Sequence, residues 1–479
     1  MKFTRKFGLF IATMAIIVLV STAVFASTGL GISGPCYPVL SPTGSVSNVS
    51  VTWWDKSEVT AASVRYSTTV NFADTQGASY ATATATLSHS DDSNDYAVFE
   101  AEMTGLSANT TYYYQVGHDA VWSEEYSFSK GSANDDSISF MYMGDVQYNE
   151  YATAEADYAA WGSLLQGACT AFPDLDFALL GGDMVQNGNT AAHWQMFLNQ
   201  ATKGFSSLPV LPIPGNHESN SATTGKPVLF LKMFRLPENG PGNFSEEFYS
   251  YDYGNVHVTC LSSTVLANEQ VLKGGMQESD YEVIKSWIAN DLQASDATWK
   301  VVVMHHPAYA VVSDDVATQV LAEWEPIFVD QQVDLVLCGH QHIYMRTKAI
   351  KGVTYVMGNS GSKHYAPATV SYAKAMIADV STYQIIEAGD EELALNTYDA
   401  TGASLDSVTL TAKDRSITPV WPDPVLGDVN EDGYVDQTDL DLVMGAILNY
   451  SAYDSIMDLN GDGKVDISDA HKLSLLISQ

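Results

Sequence analysis

The sequence predicts a multidomain chain: an N-terminal all-β sandwich, a central α/β sandwich domain and a small all-α module at the C-terminus. Three observations carry this. From Pro35 to Lys130, β-branched and aromatic runs such as "VSVTWW", "ASVRYST" and "TYYYQVG" follow one another across polar turns. From 136 to 411, short apolar strands ending in Gly or Pro alternate with helix-like stretches, a pattern expected of strands buried on both faces. From Val425 to Gln479, a 12-residue pattern occurs twice, 30 residues apart, and each copy runs into an apolar helical segment.

The 479 residues exceed one ordinary domain, and at 46% hydrophobic they can bury sizeable cores. The net charge of −35, from 22 basic and 57 acidic residues, excludes nucleic acid and anionic membrane as partners, because little positive surface exists to neutralise phosphates. A phosphate-bearing ligand would need local help, such as metal ions. Residues 1–26 read as a signal peptide: Lys2, Arg5 and Lys6, then an apolar run, then "VFA" ending at Ala26. The alternative is a retained membrane anchor, for which Phe7 to Val20 is short. The expectation is a secreted, extracellular protein. Four cysteines allow three full pairings; Cys260 and Cys338 end strand-like runs, where buried free thiols are the plain expectation.

In chain order, "GLSANTTYYYQVG" places a turn before an alternating tyrosine strand, and residues 35–130 resemble a fibronectin type III sandwich. In 136–411 the strands are "SISFMYMGD", "DFALLGGD", "LPVLPIPGNHE", "WKVVVMHHP" and "VDLVLCGHQH", with helices expected at "EADYAAWGSLLQGA" and "SDYEVIKSWIANDLQ". Function in such folds gathers beyond the strands' carboxyl ends. A strand-rich tail closes this unit. Residues 412–424, which include three prolines in "SITPVWPDP", form a linker to the module at 425–479.

Five strand ends carry metal-compatible residues: Asp145; Asp183; Asn216 with His217; His305 with His306; and His340 with His342. Alone, H-x-H is more often a pair of polar loop residues, and a buried histidine is more often a satisfied core residue. Five strand ends in series argue otherwise. Hard oxygens mixed with imidazoles suit Fe, Mn or Zn rather than Ca. A carboxylate shared by two ions would make a two-metal site for phosphoryl transfer.

The series GD…GD…GNHE…VxxH…GHxH resembles the calcineurin-like metallophosphoesterases, and within them the purple acid phosphatases; "YSYDYGNVHVTCLSS" and "GHQHIYMR" extend the likeness across roughly residues 35 to 411. The resemblance implies two transition metals, divalent or mixed-valence. Asp145 and His342 would hold one and Asn216, His305 and His340 the other, with Asp183 bridging. It also implies that His217 contacts substrate or protonates the leaving oxygen. His306 would touch phosphate or simply line its loop. The chain departs from the family at Gln186, where a tyrosine ligand is expected, and at Gln147, in D-x-Q rather than D-x-G or D-x-H. Gln147 would ligate through its oxygen or bond a metal-bound water.

"DVNEDGYVDQTD" and "DLNGDGKVDISD" place oxygen side chains at calcium-loop spacing, with glycine at position 6. The ligand candidates are Asp428, Asn430, Asp432, Asp436 and Asp439, then Asp458, Asn460, Asp462, Asp466 and Asp469. The pair resembles a type I dockerin, which implies two Ca2+ and a cohesin-bearing scaffold such as a cellulosome. The expected function is a secreted metallophosphatase hydrolysing phosphomonoesters. The alternatives are a phosphodiesterase or nucleotidase on the same metals, or a catalytically inactive, scaffold-borne binding module.

Overall fold

A computed structural model of the chain describes residues 29–477 except 136, 149–152, 220–223, 268–274, 278, 313, 418, 420–424, 430–434, 436 and 450–454. The signal peptide at 1–26, most of the linker's second half, and Asn430, Asp432 and Asp436 lie outside the described residues.

The first unit contains β1 (Cys36–Pro42), β2 (Val49–Asp55), β3 (Ser63–Ser67), β4 (Ala81–Thr84), β5 (Thr86–Asp91), β6 (Tyr96–Met103), β7 (Thr110–His118), β8 (Val121–Trp122) and β9 (Tyr126–Lys130). One sheet has the order β1-β2-β6-β5; the other has β4-β3-β7-β8, with β9 also on β7. The two faces of β2 explain "VSVTWW". Neighbouring residues on a strand point to opposite sides. Trp53 enters the sandwich core beside Phe99, whereas Trp54 stacks on Tyr96 and joins the core of the next unit. Polar groups complete this junction: Thr52 Oγ1 donates to the Met233 carbonyl at 2.8 Å and Tyr114 Oη to that of Ser206 at 2.8 Å.

The central unit packs two sheets face to face. β10 (Ile138–Met143), β11 (Phe177–Leu180), β12 (Val210–Pro212), β20 (Thr382–Ala388), β21 (Glu392–Asp399) and β22 (Ser404–Thr411) run in the order β12-β11-β10-β20-β21-β22. The second sheet contains β13 (Phe248–Tyr253), β14 (Val256–Leu261), β15 (Trp299–Met304), β16 (Leu335–Cys338), β17 (Tyr344–Thr347), β18 (Thr354–Met357) and β19 (Ala373–Ile377), ordered β13-β14-β15-β16-β18-β17-β19. Pairing is parallel through β10-β11-β12 and through β14-β15-β16-β18. Alternation along the strands feeds two cores. Val301, Val303, Leu335 and Leu337 face the other sheet, while Val302, Met304 and Val336 meet Ile284, Ile288, Leu292 and Phe328 of the outer helices. Helices Ala154–Ala171 and Ala191–Phe205 cover the first sheet through Trp161, Trp194 and Phe197. The parallel strands present their carboxyl ends along one edge.

Past β22 the chain stays fastened at the opposite edge. Lys413 Nζ donates to the Val333 carbonyl at 2.6 Å, and Arg415 Nη2 donates to the Thr298 carbonyl at 2.8 Å and to Asp334 at 2.5 Å. In the last unit, helices Gln437–Asn449 and Ile467–Ile477 share a core of Val429, Val443, Ala446, Met457, Leu459, Ala470 and Leu473. All four cysteines are free, with Cys260 and Cys338 buried. Among the described residues no helix is long and apolar enough to cross a membrane.

His257 on β14 is bridged by two carboxylates, Asp252 at 2.7 Å and Asp291 at 3.0 Å. Burial alone lowers its pKa, but these bonds outweigh burial and raise it to about 9. A raised folded-state value stabilises fully below the unfolded value near 6.5, and that contribution is lost as pH rises through about 9. His257→Gln is expected to cost about 1–3 kcal/mol at pH 6 and much less at pH 9.5. Thermal melts at the two pH values check this; equal losses at both would refute it.

Candidate metal centre

The residues flagged at the five strand ends all reach one edge of the two sheets. Asp145 follows β10, Asp183 follows β11, Asn216 and His217 follow β12, His305 and His306 follow β15, and His340 and His342 follow β16. Close approach of these loops requires glycine. A Cβ on Gly215 would lie 2.2 Å from Asp183 Oδ1, one on Gly339 2.4 Å from Asp145 Oδ2, and one on Gly181 2.1 Å from Tyr142 Oη. The side chains themselves pay in backbone geometry: Asp145, Asp183, His340 and His342 all have left-handed φ, at 53°, 52°, 75° and 48°. The H-x-H pair is therefore a turn. The two rings meet different neighbours.

One ring enters a tight convergence. His340 Nδ1 lies 3.1 Å from Asn216 Oδ1 and 3.3 Å from His305 Nε2, and His305 Nε2 lies 3.1 Å from Asn216 Oδ1 and 3.2 Å from Asp183 Oδ2. His305 Nδ1–H donates to the Gly181 carbonyl at 2.9 Å, so in its neutral form Nε2 turns a lone pair inward. The other ring, His342, lies 3.3 Å from the Gln147 amide nitrogen, which is also 3.2 Å from Asp183 Oδ2. A half-turn of that amide exchanges its nitrogen and oxygen, so the same pose serves as donor or as oxygen ligand.

Among the described residues, two groups bring ligand atoms within 4.8 Å of one another: Asp145, Asp183 and His305; and the three imidazoles of His305, His306 and His340. His342 stands outside both. Asp145 Oδ2 and Gln147 Oε1 are buried and find no hydrogen-bond partner among the described residues. Buried acceptors in excess of available hydrogens are costly. A cation set among these donors relieves that cost, so the residues present fit a metal centre.

Electrostatics agree. Burial drives the Asp145 carboxyl up to about 7, against the pull of His305. Burial also opposes the charge of Asp183, but His305 and His217 outweigh it and hold that carboxyl well below the usual range. His305 is raised to about 9, since Asp183 and Asp145 overcome its burial. His342 falls to about 3 through burial, with Lys363 adding to the effect, and burial beside His340 and His305 holds His306 well below its usual value.

His217 has its backbone N–H on Asp183 Oδ1 at 2.9 Å, its Nδ1 on the Gln186 carbonyl at 2.7 Å, and its Nε2 3.8 Å from Asp183 Oδ2. His306 is buried with Nδ1 2.9 Å from Ser263 Oγ, which also accepts the His306 backbone N–H at 2.8 Å. In the C-terminal unit, Asp458 accepts from the N–H groups of Gly461 and Gly463 at 2.7 and 2.8 Å. Asp469 accepts from those of Asn460 and Asp466 at 3.0 and 2.9 Å. In the first loop Asp439 accepts from the Val429 N–H at 2.7 Å.

Sequence reasoning missed two carboxylates. Glu218, inside the quoted "GNHE", accepts from the N–H groups of Asp183, Met184, Val185 and Gly215 at 2.8, 2.9, 3.0 and 2.8 Å. Asp314 accepts from His340 Nε2 at 2.9 Å. The first stood beside a flagged histidine; the second had no signal beyond an acidic pair before a helix.

Comparison with known proteins identifies three domains. Residues 35–130 fit the purple acid phosphatase N-terminal domain, 138–344 the calcineurin-like phosphoesterases and 426–477 the type I dockerin domain. An uncharacterised protein of Mycobacterium tuberculosis (strain ATCC 25618 / H37Rv) is 26% identical over 275 residues, covering 53% of this chain and 51% of that one. Probable inactive purple acid phosphatase 9 of Arabidopsis thaliana is 27% identical over 292 residues, covering 53% and 44%. The chain thus spans about half the length of the curated relatives it matches. The structure of a purple acid phosphatase from yellow lupin (Lupinus luteus) seeds shares the fold, with a TM-score of 0.63 at 18% identity over 82% of this chain and 78% of that one. This polypeptide therefore joins a purple acid phosphatase N-terminal domain, a calcineurin-like phosphoesterase domain and a type I dockerin.

Proposed function

We propose that the chain is a secreted metallophosphatase that hydrolyses phosphomonoesters at a two-metal site and is carried on a cohesin-bearing scaffold of cellulosome type. The observation that carries the catalytic part is the convergence of Asn216 Oδ1, His305 Nε2 and His340 Nδ1 beside Asp183 Oδ2, within 3.3 Å of one another in sequence around the cluster. These three residues would hold one ion. Asp145 and His342, with Gln147 as oxygen ligand or as donor to a water, would hold the other. Asp183 Oδ2, which faces both His305 and Gln147, suits the bridge. Two ions bound there supply Lewis acidity toward a phosphoryl oxygen and make water acidic enough to act as nucleophile.

The remaining steps belong to the chain's own groups. His217 Nδ1–H is committed to the Gln186 carbonyl, so only Nε2 is free to exchange a proton with the departing alkoxide. Asp183 Oδ2 lies 3.8 Å from that nitrogen. With Ser263 Oγ–H donating to His306 Nδ1, His306 Nε2 carries the ring hydrogen and offers it to a phosphoryl oxygen. The low pKa of His306 keeps it a neutral donor. The purple colour of the family needs a tyrosinate, and Gln186 supplies none.

Asp183→Asn is expected to lower both metal content and phosphomonoester hydrolysis by roughly two orders of magnitude or more. His217→Ala is expected to lower turnover by about 10²-fold or more with the metals retained. Elemental analysis alongside kinetics on a panel of mono- and diesters separates these. A wild-type protein that takes up no transition metal would instead indicate a binding module.

Fully metallated protein is expected to show no strong visible absorption band. For the tail, the 11 acidic and 2 basic residues of 425–479 should repel one another until two Ca2+ bind. Limited proteolysis of the full chain is expected to spare this segment with calcium and cut it in chelator; equal resistance in both would contradict the coupling.

A further inference from the structure

The three metal-site histidines differ in what holds their outer nitrogen. His305 donates Nδ1–H to a backbone carbonyl, that of Gly181. His342 Nδ1 has no partner among the described residues. His340 alone has a carboxylate: its Nε2 lies 2.9 Å from Asp314 Oδ2, although the two residues are 26 apart in sequence. Asp314 is itself fixed. It is the N-cap of the helix Asp315–Glu323, and its Oδ1 accepts the Ala317 backbone N–H at 2.7 Å. One carboxylate thus anchors a helix end with one oxygen and a histidine ring with the other.

We propose that Asp314 is a positioning residue, setting His340 as an Nδ1 ligand for the ion held with Asn216 and His305. The inference rests on the two-metal reading above. A neutral imidazole has one N–H. Holding that hydrogen at Nε2 leaves the lone pair at Nδ1, the atom 3.1 Å from Asn216 Oδ1 and 3.3 Å from His305 Nε2. The other tautomer would press an N–H toward the His305 lone pair. Carboxylate partners of ligating imidazoles typically change metal affinity by about 10–100-fold. Because His340 sits in left-handed backbone at φ 75°, rotation of the ring about its side-chain bonds is what remains to be fixed, and Asp314 fixes it.

The test uses the full chain, with zinc as probe and chelator competition as readout. Asp314→Ser keeps an N-cap but cannot reach His340 as a carboxylate does. One of the two zinc ions is expected to bind about 10–100-fold more weakly, with the other unchanged and the melting temperature of the metal-free protein preserved. If the metal-free protein melts lower, Asp314→Asn decides, because asparagine caps a helix as well as aspartate: weaker zinc supports the role and unchanged zinc overturns it. Equal zinc affinity in wild type and Asp314→Ser also overturns it. A wild-type chain that binds no zinc, iron or manganese would overturn the two-metal reading itself, and this inference with it.

Discussion

The loops that bear the site hang on one buried carboxylate. Glu218 receives four backbone N–H groups, three from the segment that begins at Asp183 and one from Gly215. It thereby joins the ends of β11 and β12 at the point where Asp183 and Asn216 must meet. Four buried donors would otherwise go unsatisfied, at about 1–3 kcal/mol each. Burial and the nearby charge of Asp183 push the Glu218 carboxyl up to about 7. The arrangement therefore places two acids close together in a dry interior, and their mutual repulsion is one more reason for a cation among the neighbouring ligands.

The same edge is braced from outside. The sandwich carries none of the metal-ligand candidates. Its β2 sends Trp54 into the central core, and Thr52 and Tyr114 bond carbonyls of the central unit at Met233 and Ser206. Arg235, two residues beyond Met233, pairs with Glu100 of β6 at 2.9 Å. The segment Phe230–Arg235 meets the helix Ala191–Phe205 through Phe234 and Trp194, and the Trp194 indole N–H donates to the Gly188 carbonyl, two residues past Gln186, at 2.9 Å.

The broad plan was legible because apolar periodicity and strand-end residues are local signals. "WKVVVMHHP" announces both a strand buried on two faces and the histidines at its end, and the structure splits Val301 and Val303 from Val302 and Met304 between two cores. Which groups meet around the ligands was not legible, because those contacts are long-range. Nothing near Asp314 points to a residue 26 positions away, and nothing in "GNHE" says that its glutamate will collect N–H groups from another loop. The turn at His340 and His342 was not legible for a local reason: two non-glycine residues in left-handed backbone are rare, and nothing in the H-x-H spacing marks them.

The clasp of Lys413 and Arg415 has a consequence for orientation. Their partners, Thr298, Val333 and Asp334, immediately precede β15 and β16, whereas His305 and His340 follow those same strands. The polypeptide leaves the central unit from the pole opposite its reactive edge. The departing segment at Lys413 and Arg415 therefore leaves the ends of β15 and β16 that carry His305 and His340 unobstructed from its side.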